Sequence, residues 1–437
     1  MKKYSLFIMS ILLATNAFAA SWTADEVKTI ITKVNDTWQL NHPKQERSFW
    51  DPAVYHTGNM EAYALIGKKE WKDYSIQWGE QNKWMGAQEK DPAKWLYKNY
   101  GEKPQYVLFG DWQICFQTYL DLFFSEEGYD YNAPLKKAGN TFDAIQKKKK
   151  FMTLEMKYDQ YWIERCREVM GYETKSEATD YWWWADALYM VMPVMTKMYR
   201  LTGDEAYLDK MYDNWQYANS IMYDKETGLY FRDGKYVYPK HKTNAGKKDF
   251  WARGDGWVMA AFAKVLRDMP TNYKHRKEII AYYKAMADGI KQCQQKEGHW
   301  TRSMMDPEQA PGYETSGTAL FCYGLFWGIN NGYLSKKEYH PVAQKAWDYL
   351  ATVALQGDNT VGYVQPIGEK AIPGQVVNQK SVTNFGTGAF LLAACEYVRY
   401  LEKNNKPNSK NNASKKKNDS TFRPHAYVGG SVGTTIR

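Results

Sequence analysis

The sequence predicts an all-α fold, and three observations support this prediction. Apolar residues recur at helical spacing along nearly the whole chain, and few segments alternate as a strand does. Turn residues that end one helix and start the next separate these segments, as at Leu201-Thr202-Gly203-Asp204 and again at Asn331-Gly332-Tyr333-Leu334-Ser335. No fixed repeat of a helical solenoid is visible. The pattern therefore favours an (α/α)6 barrel of helical hairpins.

The predicted helices alternate with short turns and with longer loops rich in Gly, Pro and aromatic residues. Loops over residues 41–57, 85–110, 222–254 and 297–314 are expected around one mouth of the barrel, where a site would form. Within one of them, Asp233-Gly234 between aromatic runs predicts a small β-like hairpin over residues 228–238. The helices are predicted over 24–40, 58–68, 71–84, 111–125, 133–148, 159–169, 182–201, 205–221, 255–268, 275–296, 315–330, 337–355 and 386–401.

The first twenty residues have the three zones of a secretory signal peptide. Lys2-Lys3 precede an apolar run over residues 6–13, and Ala17-Phe18-Ala19 supply small residues before the expected cleavage site. The run is shorter than the roughly 20 apolar residues that span a bilayer, and no later segment reaches that length. We expect residues 1–20 to be removed and the mature protein to be periplasmic or secreted, without a membrane span.

The net positive charge of the chain comes from its two ends. The formal net charge is +9, but residues 403–437 carry eight basic residues and one acidic residue, and residues 21–402 carry 48 of each sign. This balance argues against nucleic-acid binding by the folded part. No segment within 21–402 has the composition of a linker, so we expect one large domain followed by a basic, disordered tail over 403–437.

Cysteine and aromatic content narrow the class of protein further. The five cysteines are far apart and form no C-x-x-C pair, so neither a disulfide framework nor a zinc site is expected, and no metal or cofactor is predicted. The chain has 18 Trp and 35 Tyr. Such a surplus is typical of exported proteins that stack aromatic faces on sugars, although large helical proteins also use aromatic residues for packing.

Asp186 is an unusual carboxylate in the aromatic and apolar stretch 181–193. Its neighbours in the chain are Trp, Ala, Leu, Tyr and Met residues. Removal from water favours the protonated form of a carboxyl, so Asp186 is a candidate proton donor near neutrality. The alternative is a buried Asp that accepts a hydrogen bond from the backbone.

Two further segments carry candidate site residues. Residues 250–257, which read Phe-Trp-Ala-Arg-Gly-Asp-Gly-Trp, combine Arg253 with two indole rings just before a helix, a combination suited to an acidic sugar. An Arg–Asp pair that braces the loop is the alternative. Upstream, His241 and Lys242 add polar groups. Asp111 stands at a predicted helix start, where capping the helix explains an Asp as well as catalysis does.

Four segments together resemble glycoside hydrolase family 105, the unsaturated rhamnogalacturonyl hydrolases and their relatives. They are Trp-Ala-Asp-Ala-Leu-Tyr-Met at 184–190, the 250–257 segment, Gly-Tyr-Glu-Thr-Ser-Gly-Thr-Ala at 312–319 and Gly-Thr-Gly-Ala-Phe-Leu-Leu-Ala at 386–393. The resemblance covers residues 25–401. It implies an (α/α)6 barrel that removes a 4,5-unsaturated uronic acid from the non-reducing end of oligosaccharides made by polysaccharide lyases.

The resemblance also implies a reaction. Most glycosidases act at the anomeric carbon between two carboxylates. This family instead hydrates the C4–C5 double bond: an acid protonates C4, an oxocarbenium-like ion forms, water adds at C5, and the resulting hemiketal opens. By this resemblance Asp186 is the general acid/base, and Asp111 is a second catalytic carboxylate that orients water or sugar hydroxyls.

The substrate-binding residues implied by the resemblance are Trp251, Arg253 and Trp257, with His241 and His56. Lys242 competes with His241 for its place, because the loop before residue 250 varies in length. Asp255 stands where the family often has Asn, and a carboxylate beside Arg253 would weaken the attraction of that arginine for an acidic sugar.

Two other functions remain compatible with the sequence. A uronate-active polysaccharide lyase or isomerase on the same barrel could use Arg253 and His241. A non-catalytic carbohydrate-binding protein would need only the aromatic surplus. The polysaccharide, the leaving sugar and the oligomeric state are left open.

Overall fold

The computed structural model describes residues 22–97, 101–126, 169 and 182–405. Over these residues the chain forms twelve α-helices and no strand longer than an isolated bridge. Two short 3-10 turns (Pro92–Lys94 and Pro307–Gln309) and one π-helical turn (Leu350–Ala354) accompany them. The helices are α1 (Ala24–Asn41), α2 (Trp50–Ile66), α3 (Lys69–Gln81), α4 (Gly110–Gln113), α5 (Cys115–Glu126), α6 (Ala185–Thr202), α7 (Ala206–Met222), α8 (Ala252–Asp268), α9 (Arg276–Gln292), α10 (Thr315–Asn330), α11 (Lys336–Tyr349) and α12 (Asn384–Asn405).

Six of these helices form a closed inner ring. Helices α2, α5, α6, α8, α10 and α12 each pack against the next, and α12 packs back against α2. Outside the ring, α3 lies against α2, α7 against α6, α9 against α8, α11 against α10, and α1 against α12. This arrangement confirms the predicted all-α barrel of helical hairpins.

The two layers differ in which faces they bury. In the outer helix α1, the buried apolar residues Val27, Ile31, Val34 and Trp38 recur every three or four positions, so one stripe faces the ring. The inner helix α10 is buried at every position from Thr315 to Ile329. A helix that is apolar on all sides belongs in the interior, and this is why α10 sits in the ring.

Small residues allow the inner helices α2 and α12 to approach closely. A Cβ atom added to Gly58 would lie 2.3 Å from the carbonyl oxygen of Gly388, and one added to Gly388 would lie 2.4 Å from that of Val54. Any larger residue at these positions would push the two helices apart. The glycine-rich segment at 386–393 therefore has a packing function in the ring.

The helix-ending signals read from the sequence act as predicted. Gly203 has φ +74° and ends α6, and its N–H donates to the carbonyl of Tyr199. The carboxylate of Asp204 then accepts the N–H of Ala206 at 2.9 Å at the start of α7. Glycine is favoured at such a position because the left-handed conformation crowds a Cβ.

The structure differs from two predicted helix boundaries and from the predicted hairpin. Helix α2 begins at Trp50 and not at 58, because Pro52 fits the first helical turn, where its missing N–H leaves no bond unmade. Helix α12 spans Asn384–Asn405, whereas the sequence predicts a helix over 386–401. The predicted hairpin over 228–238 does not form: Tyr223 bridges to Tyr230, and Asp233 bridges to Trp184.

Several predicted features lie outside the described residues: the signal peptide, the tail beyond Asn405 and the helices at 133–148 and 159–169, except that Val169 is helical. The cysteines at 115, 293, 322 and 395 are buried free thiols. Throughout the described ranges, every helix is too short or too polar to cross a membrane.

Candidate active site

The inner helices bring their first turns together at one end of the ring. Asp186 is the second residue of α6, and Arg253 is the second residue of α8. Contacts continue around the end: Arg253 lies 3.4 Å from Ser316 of α10 and 4.9 Å above the ring of Phe385 of α12. The N-terminal ends of helices carry partial positive charge, so this end of the barrel favours an anionic ligand.

The position of Asp186 is fixed by the chain on either side of it. Trp184 caps α6, stacks on Phe109 at 5.4 Å between ring centroids and bridges to Asp233. The N–H of Ala185 donates to the carbonyl of Arg232 at 2.7 Å. These contacts hold the first turn of α6 against the loop 223–251. The Asp186 side chain is 13% exposed.

Arg232 is the partner of Asp186, and sequence reasoning missed it. Its Nε lies 3.3 Å from Oδ2 of Asp186, an ionic contact without hydrogen-bond geometry. Its Nη1 donates to Asp233 at 2.8 Å and to Glu369 at 3.2 Å. The expectation that Asp186 has only apolar neighbours was wrong, because this arginine comes from a loop that is distant in sequence. The sequence predicts a hairpin turn at Asp233-Gly234, and no local pattern marks the neighbouring Arg232 as a partner of Asp186.

Asp111 lies close enough to Asp186 for their charges to interact. Burial raises the pKa of the Asp111 carboxyl well above its usual range, and the charge of Asp186 raises it further, while Arg232 acts in the opposite direction. Phe109, and not Asp111, occupies the capping position of α4. The helix-cap alternative for Asp111 was therefore wrong. Two neighbouring carboxyl groups whose environments differ can divide the roles of acid and base between them.

Arg253 is buried between two aromatic rings. Its guanidinium lies 4.6 Å from the ring centroid of Trp251 and 4.9 Å from that of Phe385, and it is only 1% exposed. Its Nη1 donates to the carbonyl of Gln365 at 2.7 Å, and its Nη2 donates to that of Pro366 at 2.9 Å. Burial lowers the pKa of Arg253 to about 10, although Glu314 and Asp186 oppose this effect. The two terminal nitrogens of the Arg253 guanidinium were expected to bind an acidic sugar. They instead bind backbone carbonyls of the loop 355–383.

Glu314 anchors the same loop from the other side. It caps α10 and accepts the N–H groups of Ser316 at 3.0 Å and Gly317 at 2.7 Å. It also accepts the N–H of Gln365 at 3.1 Å. The residue is fully buried, and its negative charge stabilises the charged form of Arg253. Sequence reasoning did not identify Glu314 as a structural support for the site. Its signal in the sequence is an acidic residue two positions before Ser316, at a helix start.

The two predicted sugar-binding indoles are both buried. Trp251 donates from Nε1 to the side-chain oxygen of Gln365 at 2.8 Å. Trp257 is fully buried and lies 4.9 Å from the ring of Tyr189 and 6.4 Å from that of Trp50. These contacts give Trp251 and Trp257 packing functions behind the site, and neither offers an open face to a sugar in this structure.

His241 lies at the edge of the site. Its Nε2 is 2.9 Å from Oδ2 of Asp249, and its ring meets the edge of Tyr236 at 5.0 Å. The Tyr236 hydroxyl in turn donates to Glu369 at 2.6 Å, which connects the histidine to the group around Arg232. Lys242 is exposed. Of the two competing residues, His241 is therefore the one joined to the site.

His56 does not join this group. Its ring stacks on Trp78 at 4.1 Å, and its Nδ1 is 2.9 Å from the hydroxyl of Ser75. Burial holds the pKa of His56 well below its usual range, so it is a neutral interior residue between α2 and α3. These contacts do not support its predicted place in the substrate pocket.

Asp255 does not pair with Arg253 either. Its Oδ1 accepts the N–H of Tyr230 at 2.8 Å, its other oxygen has no hydrogen-bond partner among the described residues, and it is fully buried. Burial raises its pKa well above the usual range. The proposed effect on the attraction of Arg253 for a sugar is thus not supported, because Asp255 points to the loop 223–251.

Comparison of the sequence with known proteins identifies the family of this chain. The sequence model of glycosyl hydrolase family 88 matches residues 22–401. The chain belongs to glycosyl hydrolase family 88. A relative from Formosa agariphila, an unsaturated 3S-rhamnoglycuronyl hydrolase, is 36% identical over 265 residues, which are 60% of this chain and 68% of the relative. The protein is thus a glycosidase of the unsaturated uronyl hydrolase type.

Two solved structures cover 87% of this chain. A family 88 glycosyl hydrolase from Bacteroides vulgatus is 54% identical with a TM-score of 0.77, and all of its chain is covered. A protein described as a polysaccharide lyase is 56% identical with a TM-score of 0.76, and 98% of its chain is covered.

The resemblance to family 105 is seen in the fold. A possible family 105 member from Salmonella enterica is 18% identical with a TM-score of 0.60, covering 91% of this chain and all of the other. A likeness at this identity shows the barrel alone. The family that the sequence supports is therefore family 88.

Proposed function

We propose that this family 88 enzyme removes a 4,5-unsaturated uronic acid that is linked to rhamnose or a similar sugar, in oligosaccharides released by polysaccharide lyases. The observation that carries the proposal is the group of Asp186, Arg232 and Asp111 at the helix ends that open on the mouth. The name of the Formosa agariphila relative, an unsaturated 3S-rhamnoglycuronyl hydrolase, supports the rhamnose link.

The proposed chemistry uses the proton shared by the two carboxyl groups. In the free enzyme this proton resides on Asp111, because burial and the charge of Asp186 both favour its protonated form. During reaction this proton passes from Asp111 to Asp186, which delivers it to C4 of the unsaturated ring. The Asp186 carboxylate then accepts a proton from the water that adds at C5, and this proton returns to Asp111. The hemiketal that results opens, and the glycosidic bond breaks.

Arg232 is proposed to hold the uronate carboxylate. Its Nε and Nη1 contact Asp186, Asp233 and Glu369, whereas Nη2 makes no hydrogen bond with the described residues. The side chain is 15% exposed and is therefore more accessible than Arg253. An uronate bound at Nη2 would place the reacting ring beside Asp186. The positive ends of the inner helices add to the attraction for this anion.

A polysaccharide lyase is the second candidate, because the related structure at 56% identity is described as one. A lyase creates the unsaturated uronyl chromophore by β-elimination, whereas the proposed hydrolase destroys it by hydration. The two reactions therefore change the ultraviolet absorbance in opposite directions.

The decisive experiment follows this absorbance with the purified protein. One series of reactions contains unsaturated disaccharides prepared with lyases, and the other contains the corresponding intact polysaccharides. The proposal expects absorbance to fall in the first series and to stay constant in the second. A rise with intact polysaccharide would favour the lyase, and no change in either series would contradict both.

We also propose that the protein is exported and that residues 1–20 are removed. The charged, apolar and small-residue zones at the N-terminus support this. Sequencing the N-terminus of protein recovered from the periplasm or medium tests it, and an intact Met1 on all of the folded protein would contradict it.

A further inference from the structure

We propose that Asp233 and Glu369 are positioning residues that hold Arg232 and keep it from pairing closely with the reacting carboxylate of Asp186. The inference deepens the proposed function and rests on it, because it concerns how one arginine serves both the acid and the uronate. Both carboxylates contact the guanidinium that lies beside Asp186.

The contact between Arg232 and Asp186 is unusual for such a pair. An arginine beside a carboxylate commonly forms two parallel hydrogen bonds with it. Here Nε of Arg232 and Oδ2 of Asp186 lie 3.3 Å apart, yet both atoms are buried and neither has a hydrogen-bond partner among the described residues. The guanidinium is therefore turned away from the geometry that it would adopt if Asp186 were its main partner.

The hydrogen bonds of Arg232 go to the other two carboxylates instead. Its Nη1 donates to Asp233 at 2.8 Å and to Glu369 at 3.2 Å. This orientation presents Nε to Asp186 and leaves Nη2 without a hydrogen bond to the residues that the structure describes. Nη2 is the nitrogen proposed to bind the uronate, so the same two contacts also set its direction.

Asp233 is fixed in place by its own contacts. Its side chain is 1% exposed, and its Oδ1 accepts the N–H of Lys235 at 2.7 Å. Its backbone bridges to Trp184, the residue that caps α6. Asp233 therefore ties the guanidinium of Arg232 to the start of the helix that carries Asp186.

Glu369 holds the same guanidinium from the loop 355–383. It accepts hydrogen bonds from the hydroxyl of Tyr236 at 2.6 Å and from Lys235 at 3.2 Å. The hydrogen bond from Tyr236 is the main cause that lowers the pKa of Glu369, so this carboxylate stays ionised at neutral pH. Its side chain is 43% exposed, so solvent makes its hold on Arg232 weaker than that of Asp233.

The charges around Arg232 balance when Asp186 holds a proton. Two cations, Arg232 and Lys235, then face two carboxylates, Asp233 and Glu369. With Asp186 ionised, the same group has three carboxylates against two cations. Asp186 can therefore receive the proton that the reaction needs without leaving its arginine unpaired.

The alternative is that Asp233 and Glu369 only brace their loops, and the two explanations differ in the pH profile. Loss of a brace lowers kcat/KM by the same factor at every pH, or lowers the melting temperature. Loss of a positioning carboxylate changes how strongly Arg232 acts on the proton of Asp111, and so it moves the alkaline limb of the profile.

The direction of this movement follows from the groups that face Asp111. Burial is the largest cause that raises the pKa of Asp111, the charges of Asp186, Glu102 and Asp51 add to it, and the charge of Arg232 lowers it. Removing one carboxylate from Arg232 leaves its positive charge less neutralised. The proton of Asp111 is then lost at a lower pH, so the alkaline limb moves to lower pH.

The test compares pH profiles of kcat/KM for chromophore loss from an unsaturated uronyl disaccharide prepared with a lyase. The variants are Asp233→Asn, Glu369→Gln, and Glu369→Gln combined with Arg232→Met. The amide in Asp233→Asn keeps the size of the side chain and an oxygen for the N–H of Lys235. Glu369 is exposed enough for Glu369→Gln to fold, and melting temperatures are measured for every variant.

Glu226→Gln is the matched control. It removes one exposed carboxylate, which pairs with Lys248, and so makes the same change of charge outside the group around Arg232. Its pH profile should coincide with that of the wild type, because water and salt screen an exposed charge.

In Asp233→Asn and Glu369→Gln the alkaline limb should move to lower pH, by about one pH unit for Asp233 and by less for the exposed Glu369. Their kcat/KM at neutral pH should fall by up to about 10²-fold, the effect of a misplaced group at a reacting site. In the Arg232→Met background, Glu369→Gln should move the limb little, because the guanidinium through which it acts is gone.

An unmoved limb in both single variants, with kcat/KM lowered equally at every pH, would overturn the inference and leave the proposed function intact. A shift of the same size with and without Arg232 would also overturn it, because the carboxylate would then act directly on Asp111. If the wild type removes no chromophore, the proposed function fails, and the inference fails with it.

Discussion

Nε of Arg232 lies 3.3 Å from Oδ2 of Asp186, and the backbone carbonyl of the same arginine accepts the N–H of Ala185. The main chain therefore sets the distance between the two side chains. The same guanidinium also contacts Asp233 and Glu369. Arg232 is thus the cation around which the acidic groups of the mouth are arranged.

Replacing Arg232 with Met should reduce kcat/KM by about 10² to 10³, the usual effect of removing one charged donor from a reacting site. KM should rise, because the uronate loses its proposed partner. The loss of this cation also raises the pKa of Asp111 further, so the alkaline limb of the pH profile should move to higher pH. Steady-state kinetics across pH measures both effects. Arg232→Lys keeps the charge and should recover part of the activity, and wild-type kcat/KM in Arg232→Met would exclude the proposed role.

Asp186→Asn should lower kcat by a factor of about 10² to 10⁴, because general acid/base catalysis contributes a rate factor of this size. The amide keeps the size of the side chain, so the helical circular dichroism and the melting temperature should stay close to wild type. Stopped assays of chromophore loss with single-turnover amounts of enzyme would measure the residual rate. Turnover within a few-fold of wild type would show that another group donates the proton.

Asp111 should control the alkaline side of the pH profile. Its carboxyl has a raised pKa, so it keeps its proton to a higher pH than an exposed carboxyl does and loses it as the pH rises through that pKa. Activity should therefore fall on the alkaline side. Asp111→Asn should be slower at every pH and should lack this alkaline limb, since the amide does not titrate. An alkaline limb at the same pH in the variant would assign it to another group.

The fold could be predicted from the sequence because each layer of the barrel leaves a pattern. Helix α1 shows one apolar stripe, α10 is apolar on all sides, and Gly203 ends α6 in the conformation that glycine favours. These are local properties of helices that hold wherever the helix packs. Boundaries were less certain, since Pro52 is compatible with the first turn of a helix as well as with a loop.

The site was predictable only in part. Asp111, Asp186 and Arg253 stand at helix starts, and this is where the structure places them. Arg232 and Glu369 come from irregular loops whose paths depend on contacts between distant segments, so no local pattern pairs them with Asp186. From the sequence, the guanidinium of Arg253 is expected to bind an acidic sugar. In the folded protein it donates to backbone carbonyls instead.

Asp255→Asn should stabilise the protein at neutral pH and leave catalysis within about twofold of wild type. The folded-state pKa of Asp255 is raised above its unfolded value, so folding favours the protonated form, and stability falls as the pH rises through that interval. The amide removes this penalty and keeps an oxygen for the N–H of Tyr230. Chemical unfolding at acidic and neutral pH should show a gain that is present only at neutral pH. An equal gain in the free energy of unfolding at both pH values would contradict this explanation. A change in kcat/KM beyond twofold would instead support the sequence-based prediction that Asp255 affects sugar preference.

At the end of the ring opposite the site, the inner helices bury a cluster of charges. Arg267 and Arg399 both pair with Glu61, and Lys197 contacts Asp121 and Asp268. Lys264 is fully buried among them, and its Nζ makes no hydrogen bond with the described residues, although it lies 5.7 Å from the ring of Tyr189.

Replacing Lys264 with Met should therefore stabilise the enzyme below pH 8. Burial is the largest cause that lowers the pKa of the Lys264 ammonium to about 8, and Glu61 only partly opposes it. In the unfolded chain the lysine keeps its proton up to about pH 10.4. Below pH 8 the buried ammonium therefore lowers the free energy of unfolding, and this loss disappears as the pH rises from 8 to about 10.4. The gain should be up to about 3 kcal/mol at pH 7 and should shrink toward pH 10. Glu61 keeps two arginine partners in the variant. Chemical unfolding of both proteins at pH 7 and pH 9.5 measures the difference, and a variant less stable than wild type at pH 7 would mean that Lys264 has a partner that compensates for its burial.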